Sequence, residues 1–279
     1  MMRVPTRFAG QELTVGADLP SGAKSPGRLY LVPNTLDLGT FGDAAVPDLQ
    51  EVLPLGALRV AAGLSHWVVE NARSARALLK RINAVVPLAQ PLQSLSMTEL
   101  PRPVKGGGKP VDKTPWRELL SPALAGHDIG LLSEAGLPAV ADPGARLVLE
   151  AHACGVPVWP LSGPSSLILA VAASGLNGQS FAFVGYLPTD SATRAVKLRE
   201  LEAHSRRLQQ TQLLIETPYR NAALLDGLLA TLAPQTWLNI SCGLTLAGGF
   251  SQTRRIAQWR ESDTRLPADR PAVFSFLAG

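Results

Sequence analysis

The 279-residue chain has little cysteine, few aromatic rings and little lysine. Its two cysteines, Cys154 and Cys242, stand far apart in apolar stretches and belong to no C-x-x-C or Cys/His cluster. That excludes zinc and thioredoxin-type chemistry and predicts buried free thiols in a reducing compartment, the cytoplasm. An apolar run of about 18 residues, the length of a spanning helix, is missing, and the N-terminal stretch has no apolar core of a signal peptide. Neither a membrane partner nor a leader is expected. Aromatics at 5% argue against a nucleic-acid surface built from many stacked rings. Only six of the 26 basic residues are lysine, and an arginine excess suits bidentate phosphate contacts. At a net charge of +4 without a dense basic run, the preference for acidic partners is mild. Gly106 to Lys109 lacks the phosphate-loop spacing, and no G-x-G-x-x-G follows the first apolar strand. The four histidines, His66, His127, His152 and His204, read as isolated surface or helix residues.

What the chain does have is a globular balance, 46% hydrophobic against 17% charged, and a length that predicts about two domains. Residues 1–27 lack periodicity and read as a mobile extension, and 101–115, broken by glycine and proline, as a flexible basic loop. Between and beyond them strands and helices alternate. Leu29 to Val32, Asp128 to Leu132 and Val156 to Leu161 read as buried strands. Ala75 to Val86 and about Gly144 to Ala153 read as helices, so a βαβ unit and a parallel sheet are predicted, with binding loops at the carboxyl ends of its strands. A nearly all-apolar helix follows Ser165 or Ser166 and stops at Gly175. After it come a strand from Phe181 to Tyr186, a helix from Ala192 to Ala203, a strand from Gln212 to Glu216 and a helix from Asn221 to Leu232. Trp237 to Leu246, Thr253 to Trp259 and Ala272 to Leu277 read as strands. This order predicts an α+β second domain with a mixed sheet, which divides the chain into 28–163 and 164–279.

Three segments concentrate chemistry. Residues 131–151, LLSEAGLPAVADPGARLVLEA, run from a buried strand into two small-residue turns that leave backbone groups open to a ligand. Leu161 to Ser166 is a second such turn, its hydroxyls at a helix start, where capping alone would also account for them. Leu214 to Arg220, LIETPYR, ends a strand in a carboxylate, a hydroxyl, a phenol and a guanidinium.

The ordered series GRLYLVP, VVENARSARALLK, LLSEAGLPAVADPGA, PLSGPSSLILAVAASGL, FVGYLPTDSATR and LLIETPYR resembles the tetrapyrrole methylase superfamily of S-adenosylmethionine-dependent methyltransferases. The likeness is strongest to its branch of 16S rRNA cytidine 2′-O-methyltransferases, and covers about residues 28 to 279. It implies a two-domain α/β homodimer without a metal, with a parallel-sheet N-terminal domain, a mixed-sheet C-terminal domain and the cofactor between them. Carried over, the S-adenosylmethionine site uses Pro33, Ser133, Glu134, Ala135, Gly136, Ser165, Ser166, Ile215, Thr217, Pro271 and Ala272. Glu70, Arg73 and Glu216 are the candidate catalytic residues, with Glu134 a further candidate base. Asn71, Tyr219 and Arg220 are the candidate contacts to an RNA substrate.

Two departures fall on the substrate side. Glu70-Asn71-Ala72-Arg73 replaces an acidic-Asp-Thr-Arg stretch, and Pro33-Asn34-Thr35-Leu36-Asp37 lacks the usual Gly-Asn pair. Methyl transfer to another acceptor and a catalytically silent RNA-binding relative therefore stand as alternatives. A nucleotide-dependent oxidoreductase rests on α/β alternation alone.

Overall fold

The computed structural model describes residues 25–37, 48–101 and 116–279. The expected extension up to residue 24 and nearly all of the basic loop, 102–115, lie outside the described residues. The first sheet is made of β1 (Leu29–Val32), β2 (His66–Val69), β3 (Ser96–Glu99), β4 (Ile129–Leu132) and β5 (Val158–Pro160). Its order is β3-β2-β4-β1-β5 and every neighbouring pair is parallel. A parallel sheet must be covered on both faces, which is why the central strands LYLV and IGLL carry scarcely a polar side chain. Helices α1 (Leu49–Val52), α2 (Leu55–Gly63) and α3 (Ala72–Val85) belong to this half, as do α4 (Trp116–Leu119), α5 (Ser121–Leu124) and α6 (Ala145–Ala153). Two apolar clusters form on the sheet, one around Trp67, Leu79 and Leu132, the other around Leu131 and Leu147.

The second sheet contains β6 (Phe181–Gly185), β7 (Thr211–Glu216), β8 (Trp237–Cys242), β9 (Phe250–Arg255) and β10 (Ala272–Leu277), in the order β6-β7-β10-β8-β9. Only β6 and β7 run parallel, so the sheet is mixed. Alternation along β7 and β10 sends Leu213, Ile215 and Val273 to the face covered by α7 (Ser166–Ser174). Leu214, Phe274 and Phe276 point to the opposite face, where α8 (Ser191–Leu208), α9 (Asn221–Thr231) and α10 (Ile256–Arg260) build the larger core.

The tail differs from expectation in two places. The strand from Trp237 ends at Cys242, because Gly243 and Thr245 take the left-handed conformation, at φ +61° and +67°. The strand expected over Thr253 to Trp259 breaks at Arg255 and becomes α10. There the Gln258 amide oxygen accepts from the Arg255 N–H at 3.0 Å, and Trp259 is buried with its indole N–H donated to the Leu238 carbonyl at 2.8 Å. A local cap and one buried indole thus override the apolar alternation. Two histidines are also not isolated: the rings of His66 and His127 stack at 5.2 Å. Cys154 and Cys242 are free thiols, Cys242 buried and Cys154 half-buried.

Candidate functional site

Because the first sheet is parallel, β1, β2 and β4 release their chains at one edge. Asn34, just past β1, joins two of those ends. Its amide nitrogen donates to the Ser133 and Glu134 carbonyls, both at 2.9 Å, its backbone N–H donates to Gly136 at 2.8 Å, and its side-chain oxygen accepts from the Thr35 N–H at 2.8 Å. The segment that lacks the family's Gly-Asn pair therefore still forms a fixed turn. Gly136 closes it in the left-handed region, at φ +65°. Gly163 approaches the same place from β5, so tightly that a Cβ there would lie 2.1 Å from the Pro33 Cβ.

Beyond β2, the Glu70 carboxylate accepts the Glu134 N–H at 3.0 Å. Burial pushes its carboxyl up, the hydrogen bond from Glu134 opposes this, and the Glu134 charge adds to it. Asn71 stands at the N-cap of α3. Its side-chain oxygen caps α3 by accepting the Arg73 and Ser74 N–H groups at 2.9 and 3.4 Å. Asparagine caps a helix as well as aspartate does, so the departure from the family's Asp leaves this helix start intact. Arg73 is exposed on the first turn.

The loop from β4 to α6 holds Ala139 and Ala141 at φ +67° and +64°, a conformation that costs an L-residue roughly 1–2 kcal/mol. Such strain concentrates where a loop has to present a side chain. The side chain next in line is Asp142, which has neither a hydrogen bond nor an ion pair among the described residues. Burial, together with the charges of Glu70 and Glu134, pushes its carboxyl up to about 7.

The second sheet faces these turns with one edge. Glu216, at the end of β7, is fixed: it pairs with Arg220 at 2.9 Å and accepts the Thr217 N–H at 2.9 Å. Ala272, at the start of β10, lies opposite both Glu216 and Cys242. Ser165 stands at the N-cap of α7, yet its hydroxyl makes no capping bond. Between the two sets of strand ends lies a cavity of about 400 Å³. One part of its wall is apolar, with Leu36, Leu137, Val140, Leu244 and Val273, and the other carries Glu134, Asp142, Ser165, Ser166, Tyr186 and Glu216.

Of the expected cofactor residues, Glu134, Ala135, Gly136, Ser165, Ser166, Ile215, Thr217, Pro271 and Ala272 line this cavity. Pro33 and Ser133 are buried and outside its lining, the Ser133 hydroxyl without a hydrogen-bond partner among the described residues. Glu70, Asn71, Arg73, Tyr219 and Arg220 lie outside the lining, Glu70 and Arg220 each bonded to a carboxylate-bearing residue within it. Sequence reasoning passed over Asp142, Tyr186, Ser241 and Leu244. Asp142-Pro143-Gly144 had the signature of a turn, but no spacing reveals that three strand ends meet there.

No model of a known protein family matches the chain. Among curated proteins it is similar to the ribosomal RNA small subunit methyltransferase I of Vibrio cholerae, 30% identical over 233 residues, 84% of this chain and 69% of the relative. The protein of that name from Mesorhizobium japonicum is 33% identical over 154 residues, 55% of this chain and 50% of the relative. That from Micromonospora olivasterospora is 40% identical over 116 residues, 42% and 36%. Beyond the Vibrio protein, then, the matched stretches span half or less of these relatives. Among solved structures, the uroporphyrin-III-C-methyltransferase from Thermus thermophilus aligns with 90% of this chain and 94% of its own, at a TM-score of 0.50 and 20% identity. That is a likeness of fold.

Proposed function

Since the chain belongs to the ribosomal RNA small subunit methyltransferase I family, within the tetrapyrrole methylases, we propose that it binds S-adenosylmethionine between its sheets and methylates a ribose 2′-hydroxyl of ribosomal RNA. The observation that carries this reading is the cavity itself: nine residues that the family resemblance implies for the cofactor line one space, although they come from both halves of the chain. The domain boundary falls near Gly163, and a ribosomal substrate makes the cytoplasm the working compartment.

The residues present fit this cofactor. A flat adenine suits the apolar wall, and the turn at Glu134 to Gly136 and the uncapped Ser165 and Ser166 offer backbone and hydroxyl groups to a ribose and an amino-acid tail. Carboxylates at Glu134 and Asp142 suit its positive charge. When bound, the cofactor supplies a methyl group already activated by its sulfonium, which leaves the protein to align the acceptor and exclude water. A hydroxyl acceptor also has to lose a proton. Glu216 is held by Arg220 and Thr217 and serves to position the strand end, while Asp142 faces the cavity unpaired. Glu134 shares the wall, but it is Asp142, held by the strained turn, whose carboxyl burial pushes up to about 7, and we assign the proton to it.

A second copy of the chain fits the side of the second sheet that α7 covers only in part. Ile168 and Leu169 on α7 and Phe181 and Phe183 on the edge strand β6 are all exposed there, which favours a homodimer.

Calorimetric titration with S-adenosylmethionine and its demethylated product tests the cofactor, and mapping of ribose methyls in ribosomal RNA from cells with and without the gene tests the acceptor. The reading predicts micromolar binding and one missing methyl. Melting temperatures unmoved by either compound at millimolar concentration would sink it.

A further inference from the structure

Three tyrosines occur in the chain. Tyr30 is buried in β1, whereas Tyr186 and Tyr219 are 58% and 74% exposed. These two follow β6 and β7, neighbouring parallel strands that end at the same edge, the one framing the cavity. Tyr186 is itself part of the cavity wall. Tyr219 sits in the short 3-10 turn Pro218–Arg220, immediately after two lining residues, Thr217 and Pro218. Neither phenol has a hydrogen bond or ring contact among the described residues. In a chain so poor in aromatics, two large exposed rings just past adjacent strands, one in the cavity wall and the other next in sequence to its lining, call for a ligand with a flat apolar face.

Charge narrows the ligand further. Burial first, and then the charges of Asp142, Glu216 and Glu70, pushes the Tyr186 phenol up, further from ionisation. The cavity wall thus suits a neutral, planar group, while the Arg220 guanidinium beside it, paired with Glu216, lies outside the lining. An unstacked nucleobase has that chemistry, and proteins that read single-stranded RNA take such bases on exposed aromatic rings.

We propose that Tyr186 and Tyr219 form a stacking platform for an unstacked base of the RNA acceptor, holding the nucleotide at the cavity mouth with its phosphates outside. This rests on the reading of the acceptor as RNA. Stacking tolerates any base, so the platform supplies position and affinity, and sequence preference comes from elsewhere.

The test uses the full chain and a single-stranded RNA that carries 2-aminopurine, whose fluorescence is quenched when it stacks, alongside methylation kinetics on ribosomal RNA. Wild type, Tyr186→Phe and Tyr219→Phe quench the probe. Tyr186→Leu and Tyr219→Leu, which keep bulk without a flat ring, lose the quench and raise the KM for RNA by roughly 5- to 150-fold each, with melting temperatures near wild type. Wild-type quench and KM in both leucine variants would overturn the platform. Equal loss in the phenylalanine variants would also overturn it, in favour of a contact through the phenol oxygen. A wild-type protein that binds S-adenosylmethionine but neither binds nor methylates RNA would remove the RNA reading, and the platform with it.

Discussion

Asp142 carries the clearest consequence at the scale of single residues. As proton acceptor it works only when ionised, so kcat/KM should fall as pH drops below about 7, the value to which burial, Glu70 and Glu134 push it. Asp142→Asn removes a general base, and a loss of roughly 100- to 10,000-fold is expected, with the acid limb of the profile gone. The same shift has a stability sign. A carboxyl raised above its unfolded value favours the fold in its protonated form, so that contribution is complete below about pH 4 and is lost as pH rises through about 7. The melting temperature of Asp142→Asn should therefore draw ahead of wild type across that window and keep its lead above it. Parallel curves for the two proteins would show that neither burial nor the neighbouring carboxylates raise this carboxyl.

Between elements, the turn after β5 approaches the turn after β1 very closely. Gly163→Ala would drive a Cβ into the Pro33 ring at 2.1 Å, and neither backbone nor ring can yield cheaply. Overpacking of this kind costs about 1–3 kcal/mol, and because the displaced turns line the cavity, weaker S-adenosylmethionine binding by calorimetry should accompany the lower melting temperature. Apolar runs made β1, β4 and β7 legible in the sequence, along with the parallel sheet and the mixed one. β2 carried a like run in Trp67 to Val69 that the reading of the sequence did not take up, whereas the edge strand β3, whose SMTE is mostly exposed, carried no such signal. The cofactor-side turns were legible as strand-end glycines, prolines and serines. Asp142 and Tyr186 were not, because what marks them is convergence: strand ends far apart in sequence crowd one carboxyl and frame one ring.

At the scale of the whole molecule, the exposed apolar residues of α7 and β6 predict association. Sedimentation should give a dimer that Ile168→Glu or Phe183→Glu converts to monomer without loss of helical signal. A wild-type monomer at all concentrations would leave that face without an occupant. The cavity, meanwhile, is walled partly by turns and partly by the strand ends themselves, Ile215 and Val273 belonging at once to its lining and to the core under α7. Packing and cavity shape are thus written into the same stretches of chain. A substitution at Ile215 or Val273 therefore cannot reshape the cavity without also disturbing the second sheet, so evolutionary change in what the cavity accepts is expected to fall first on its turns, where side chains can vary at little cost to the cores.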